Sequence, residues 1–335
     1  MIPQKMISLV SIIYDCDPGI DDAVAILLAI KTKMCKLIAI TSVAGNVSSE
    51  VGFRNIIKLL YLTGMNLLKE RDPPIAEGSP EPLFRKFNPE IGKHIHGMDG
   101  LGNTEKLFID YKIPDKISSE YEAIDLIIST ILESKEPITL VATGPLTNIA
   151  KALNRDPRIK DNLTNLVIMG GAINTSSNIN PVAEFNVYTD PDAAKIVLQS
   201  GMPILLVPLD VTKKNSFNKV DIQDLEDSDN AIVKFVRKIL SHYMKTTRLH
   251  NGLDEDACYM HDALAMAIAL NRKLMNTIKS EKFFINVETQ EGPTLGQVLA
   301  DREPVSGPKG YKPIEVCLDL DYQEFKKFFL ETILE

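Results

Sequence analysis

The chain lacks several features that would assign it to a function class at once. Its four cysteines, Cys16, Cys35, Cys258 and Cys317, form no Cys-x-x-Cys pair and no repeating spacing. That argues against a thiolate zinc site or a disulfide framework and suits a reducing, cytoplasmic setting. No Lys/Arg cluster is dense enough to grip a phosphate backbone, and 37 basic against 45 acidic residues leave a net charge of −8. Nucleic acid is therefore not expected as a partner. The apolar run from Met6 to Tyr14 holds about nine apolar residues where a membrane helix needs roughly 20. It leads into aspartates and not into the small residues of a signal-peptide cleavage site. It reads as a buried first strand, and no membrane partner is expected.

What is present suits a large α/β core: 335 residues, 44% hydrophobic and 24% charged. Parallel α/β folds often use this length as one unit, so a single domain over residues 1–335 is expected. Apolar runs without alternation recur at Ile7 to Tyr14, Leu37 to Val43, Ile138 to Ala142, Leu166 to Met169, Ile204 to Pro208 and Phe283 to Val287. Helix-period segments follow several of them, at Asp22 to Lys31, Ser49 to Leu62, Leu146 to Leu153 and Asp190 to Gln199. This alternation predicts a doubly wound, mostly parallel central sheet with helices on both faces. Arg71 to Asn103, with many Pro and Gly, is expected as a mobile loop, and residues 213–262 as a helical region near the ligand. In such sheets ligands sit beyond the carboxyl ends of the strands.

The strongest chemical signal stands at such an end: Asp15-Cys16-Asp17-Pro18-Gly19-Ile20-Asp21-Asp22, between the first strand and the first helix. Period 2 puts Asp15 and Asp17 on one side of an extended strand end, and Pro18-Gly19 turns the chain so that Asp21 and Asp22 open the helix. Asp21 and Asp22 alone would pass as ordinary first-turn acids favoured by the helix dipole. Four carboxylates so close would repel one another unless a cation or protons neutralise them, and hard oxygen ligands suit calcium or magnesium. An EF-hand is excluded, because counting from Asp15 its sixth and twelfth positions hold Ile20 and Ile26 in place of Gly and Glu. A phosphatase of the haloacid-dehalogenase type also begins with an Asp-x-Asp strand end, with Asp15 as nucleophile and magnesium as its ion, and stands as the alternative.

The aspartate motif closely resembles the N-terminal signature of the inosine-uridine preferring nucleoside hydrolase family. Further stretches resemble that family in the expected order: Ala44-Gly45-Asn46, His96-Gly97-Met98-Asp99-Gly100, Ala142-Thr143-Gly144-Pro145, Met169-Gly170-Gly171, Val182-Ala183-Glu184-Phe185-Asn186-Val187 and His261-Asp262-Ala263. Their joint order is more specific than any one of them.

The resemblance implies hydrolysis of the N-glycosidic bond of ribonucleosides, with Ca2+ held by Asp17, Asp22 and Asp262 through carboxylates and by Thr143 through its carbonyl. Asp15 is implied as a neighbouring carboxylate that holds the site in place, and Asp21 as the general base for a calcium-bound water. His261 resembles the histidine that assists the departing base. Asn46, Asn178, Glu184 and Asn186 match positions that grip the ribose hydroxyls, with Glu184 and Asn186 expected on one side of an extended segment and Asn180 competing with Asn178. Met169 is a further candidate contact, and His96 is expected to approach base or ribose from the loop, whereas His94, His242 and His250 suit the surface equally well. The family's purine specialists sandwich the base between tryptophans, and this chain has none. A broad inosine/uridine or pyrimidine preference is therefore expected, with Tyr243, Arg248 and Tyr259 as base-side candidates and a homodimer or homotetramer as the assembly.

Overall fold

Apolar runs that carry no alternation need cover on both faces, and this chain lays them side by side in one sheet. The structure, a computed structural model, describes residues 9–65, 72–111, 122–214, 216–251, 256–303 and 312–335, without the side chains of residues 250 and 251. In chain order the strands are β1 (Val10–Cys16), β2 (Cys35–Ser42), β3 (Ile75–Ala76), β4 (Ile138–Ala142), β5 (Asn165–Met169), β6 (Ile204–Val207), β7 (Ser216–Asn218), β8 (Ala257–Tyr259), β9 (Lys279–Val287), β10 (Val298–Asp301) and β11 (Ile314–Asp319). Among the described residues nine of them form one sheet in the order β10-β9-β11-β6-β5-β4-β1-β2-β3, and β7 pairs with β8 in a small antiparallel ribbon.

From β3 to β6 the sheet is parallel and its order is 3-2-1-4-5-6. The chain leaves β1 toward one edge and returns at β4 to build toward the other, so the connections beyond β1 and β4 diverge and open a crevice there. Asp17 follows β1 and Thr143 follows β4, so the two flank that crevice. The expected doubly wound sheet is present, with two differences at its far edge. Phe283 to Val287 belongs to β9, which runs antiparallel to both neighbours, and β11 and β10 were not anticipated. Half of β9 is exposed, and a strand buried on one face only does not produce an unbroken apolar run.

The first strand extends to Cys16, so Asp15 lies within the sheet; the expected start at Ile7 lies outside the described residues. Alternation sends Ile12, Tyr14 and Cys16 to one face and Ile13 to the other. The helix Ile20–Lys31 follows, buried along nearly its whole length, and packs against His261–Leu270, which is also apolar on most sides. A helix without a polar face needs cover all round. Tyr322–Leu334 packs against both. Ser49–Leu62 begins where expected because the Ser48 hydroxyl accepts the N–H of Val51. Asp190 caps Pro191–Leu198 in the same way, and Ala231–Asn251 supplies the long helix of the 213–262 region.

Candidate active site

The aspartate motif folds as a tight wrap around the N-terminus of the first helix. Asp22 reaches back to accept the N–H of Gly19 at 3.0 Å, while its other oxygen accepts the Thr143 hydroxyl at 2.8 Å. Asp17 accepts the N–H of Asn46 at 2.7 Å. That approach requires glycine at position 45, where a Cβ would lie 2.0 Å from the Asp17 carboxylate. Asn55 donates to the carbonyls of Pro18 and Asp99, tying the turn to the loop that carries His96. Asp99 in turn accepts the N–H groups of Leu101, Asn103 and Thr104, so its place in the His96–Gly100 motif is to shape that loop.

Asp21, Asp22 and Asp262 are buried and present oxygens that lie within 4.8 Å of one another. Among the described residues no lysine or arginine pairs with them. Burial first, and the charge of Asp22 next, push Asp21 up to about 7; burial raises Asp17 and Asp262 as well, and Asp22 for the same leading reason. Buried oxygens of Asp17 and Asp21 have no hydrogen-bond partner. Carboxylates this close in an apolar setting are stable as anions only with a cation among them. The donor set is entirely oxygen, with the Thr143 carbonyl able to add another, so these residues fit a hard divalent ion. Asp15 stands behind them. Burial raises it to about 6, and it accepts from Thr41 at 2.5 Å and from Asn148 at 2.8 Å.

In front of the cluster lies a cavity of about 260 Å³. Asp21, Thr143 and Asp262 form its floor, and Asn46, His96, Met169, Asn178, Glu184, Asn186 and His261 line it, so ten expected residues meet in one space. Asp17, Asp22 and Asp15 lie beneath its surface. Glu184 and Asn186 reach it by a different route from the one expected. The extended backbone stops at Glu184, which caps the helix Phe185–Thr189, taking the N–H groups of Asn186 and Val187, and its second oxygen also takes that of Gly171. Asn186 donates to the Thr143 carbonyl at 2.6 Å. Asn178 accepts the N–H of Phe185, while Asn180 caps Val182 and Ala183 and does not line the cavity.

The base-side candidates separate. Tyr243 and Tyr259 line the cavity, with the Tyr243 hydroxyl 3.5 Å from Asp21, whereas Arg248 turns outward to pair with Asp256. His94 lines the mouth, His242 packs against Gly102, and the His250 side chain lies outside the described residues. His261 holds Thr212 at 2.7 Å through Nδ1, and burial, aided by the charge of Lys213, pushes its ring down to about 3. Thr212, Lys213 and Tyr14 escaped the sequence reading. Short helices such as Leu209–Thr212 carry little periodic signal, and Tyr14 passes for an ordinary strand residue.

The model of the inosine-uridine preferring nucleoside hydrolases matches residues 12–327. The chain belongs to that family. As a nucleoside hydrolase it is an enzyme that cleaves the N-glycosidic bond, and the alternative of a haloacid-dehalogenase-type phosphatase is set aside. Similar proteins include the pyrimidine-specific ribonucleoside hydrolase RihA of Salmonella arizonae, 36% identical over 326 residues, covering 96% of this chain and 97% of that one. Among solved structures, a plant nucleoside hydrolase, PpNRh1, superposes with a TM-score of 0.87 at 31% identity, covering 97% of this chain and 98% of its own. A purine-preferring ribonucleoside hydrolase from Gardnerella vaginalis superposes at 0.84 with 30% identity, over 96% and 98% of the two chains. Among the described residues of this nucleoside hydrolase, no helix is long and apolar enough to cross a membrane.

Proposed function

We propose that this nucleoside hydrolase acts on ribonucleosides with Ca2+ as its ion, held by Asp17, Asp22, Asp262 and the Thr143 carbonyl, and with Asp21 as general base. The single observation that supports this most is the buried all-oxygen cluster opening onto a cavity lined by amides and Glu184. When bound, the cation supplies Lewis acidity and neutralises the carboxylates around it. Asp21 takes one proton from the attacking water as the water oxygen bonds to the anomeric carbon. The bond from that carbon to the base nitrogen breaks, and its electron pair leaves with the base. Asn46, Asn178, Glu184 and Asn186 hold the ribose hydroxyls, through contacts that strengthen as the ring gains oxocarbenium character. Asp15 keeps its place behind the ligands by bonding Thr41 and Asn148.

His261 assists the departing base. The role asks for the tautomer in which the Thr212 hydroxyl donates to Nδ1 and Nε2 carries the proton. With the ring held neutral, its contribution is a hydrogen bond to the leaving group, completed by proton transfer as charge develops on the base. His96 and Met169 bound the same cavity, and we read the loop that carries His96 as the mobile segment that admits substrate.

Pyrimidine ribonucleosides are the favoured substrates in this reading. It is supported by the RihA relatives, by the absence of tryptophan, and by tyrosines at positions 243 and 259 on the cavity wall. One domain, a homodimer or homotetramer, and a cytoplasmic setting complete it, the last in keeping with four free cysteines. The test is a panel of uridine, cytidine, inosine and adenosine, with ribose release measured with and without free calcium. The reading expects uridine and cytidine to give the highest kcat/KM and chelation to abolish release; turnover unaffected by exhaustive chelation would overturn it.

A further inference from the structure

Tyr14 stands in the middle of β1, paired with Ile40 on one side and Val141 on the other, and is fully buried on the face covered by helices Ile20–Lys31 and His261–Leu270. An apolar side chain would fill that place equally well. A phenol there brings a hydroxyl into the core, and a buried hydroxyl needs a hydrogen-bond partner. Its hydroxyl lies 2.8 Å from Thr143 Oγ1 and 3.3 Å from Asp22 Oδ1. Thr143 Oγ1 in turn lies 2.8 Å from the same Asp22 oxygen.

Proton placement resolves this triangle. The carboxylate of Asp22 can only accept, and of the two hydroxyls that reach its Oδ1 that of Thr143 is the nearer, at 2.8 Å against 3.3 Å for Tyr14, so Thr143 spends its one proton there. Thr143 Oγ1 then has a free lone pair, and Tyr14 is the donor to it. The other Asp22 oxygen accepts from Gly19 and from Asn46 Nδ2, so the carboxylate is held on both sides. We propose that Tyr14 is a positioning residue of the cation site, its hydroxyl holding Thr143 and, through it, Asp22 in the arrangement that takes the ion. Hydroxyls in series polarise one another, and groups that orient metal ligands without touching the metal change affinity by roughly 10- to 100-fold. The inference rests on the calcium reading.

The experiment is calorimetric titration of CaCl2 into the calcium-depleted full chain, with the melting temperature of the same metal-free samples recorded alongside. The wild type should bind one equivalent. Tyr14→Phe, which keeps the ring and removes the hydroxyl, should bind about tenfold more weakly, while at saturating calcium its KM for uridine stays at the wild-type value. Thr143→Val keeps the carbonyl and removes the middle hydroxyl, so it should lose at least as much, and it tests the relay even if Tyr14→Phe does not fold. Combining the two should cost little more than Thr143→Val alone. A Tyr14→Phe chain that binds calcium as the wild type does, with or without a lower melting temperature, overturns the inference and leaves the calcium reading intact; so does unchanged binding by Thr143→Val. A wild type that binds no calcium overturns both.

Discussion

His96 accepts the backbone N–H of Ile20 through Nδ1 at 3.0 Å, across 76 residues of chain. The bond joins the loop over the cavity to the first turn of the helix that carries Asp21 and Asp22. It also sets the tautomer, because a ring nitrogen that accepts carries no proton, and Nε2 must hold it. Replacing His96 by Ala leaves a buried N–H without a partner and should cost about 1–3 kcal/mol in urea unfolding. Replacing it by Asn, whose oxygen can stand where Nδ1 stood, should recover part of that loss. Equal losses in the two variants would show that ring packing and not the hydrogen bond is what matters.

The same residue predicts a pH dependence. Burial, followed by the neighbouring histidines 94, 242 and 261, pushes His96 down to about 3 from an ordinary value of 6.5. Between those limits the unfolded chain binds a proton at this position that the folded chain does not, so stability rises with pH and is lost as pH falls below 6.5. Its share of the slope approaches about 1.4 kcal/mol per pH unit. Unfolding curves from pH 7 to 5 should therefore be steeper in pH for the wild type than for His96→Asn, and parallel slopes would contradict the assignment.

His261 is tested by changing the leaving group. His261→Ala should slow uridine, whose base departs poorly, far more than p-nitrophenyl riboside, whose leaving group needs no help. Thr212→Val should reproduce a smaller version of the same bias, since Thr212 orients the ring from 2.7 Å. Equal losses on both substrates for His261→Ala would mean that the residue only holds Asp262 in place.

Much of this site was legible because its chemistry is crowded into short motifs at strand ends. Asp15 to Asp22 announced a cation because like charges so close have few other uses, and the parallel order of the sheet placed Asn46, Thr143 and Met169 at the same edge. The reading failed where side chains act on the backbone. Glu184 looked like part of an extended segment under a period-2 rule, yet its carboxylate draws in the N–H groups of Asn186 and Val187 and starts a helix. Arg248 looked available to the base, but Asp256, eight residues on, holds it outside. Asn178 and Asn180 could not be ranked from their neighbours, because the choice depends on how the chain turns back at Phe185 and on Leu295 in a distant segment. Tyr14 gave no signal at all, since a strand that lies between two others reads the same whether or not one of its rings reaches a carboxylate.

The cation makes a direct prediction of its own. Elemental analysis of purified enzyme should find one calcium per chain, and chelation should lower the melting temperature as well as activity, because a bound ion stabilises only the folded state. Zinc at full occupancy would contradict a donor set made only of oxygen.

The central claim is that Asp21, buried against Asp22 and Asp262 and raised to about 7, is the base and not merely a further ligand. Asp21→Asn keeps the shape of the side chain and removes its ability to take a proton. The decisive measurement is the single-turnover rate on uridine together with calcium binding on the same preparation. The account predicts calcium bound at one per chain, substrate still bound, and a rate lower by about 100- to 10,000-fold. Near-normal turnover, or loss of the calcium, would contradict it.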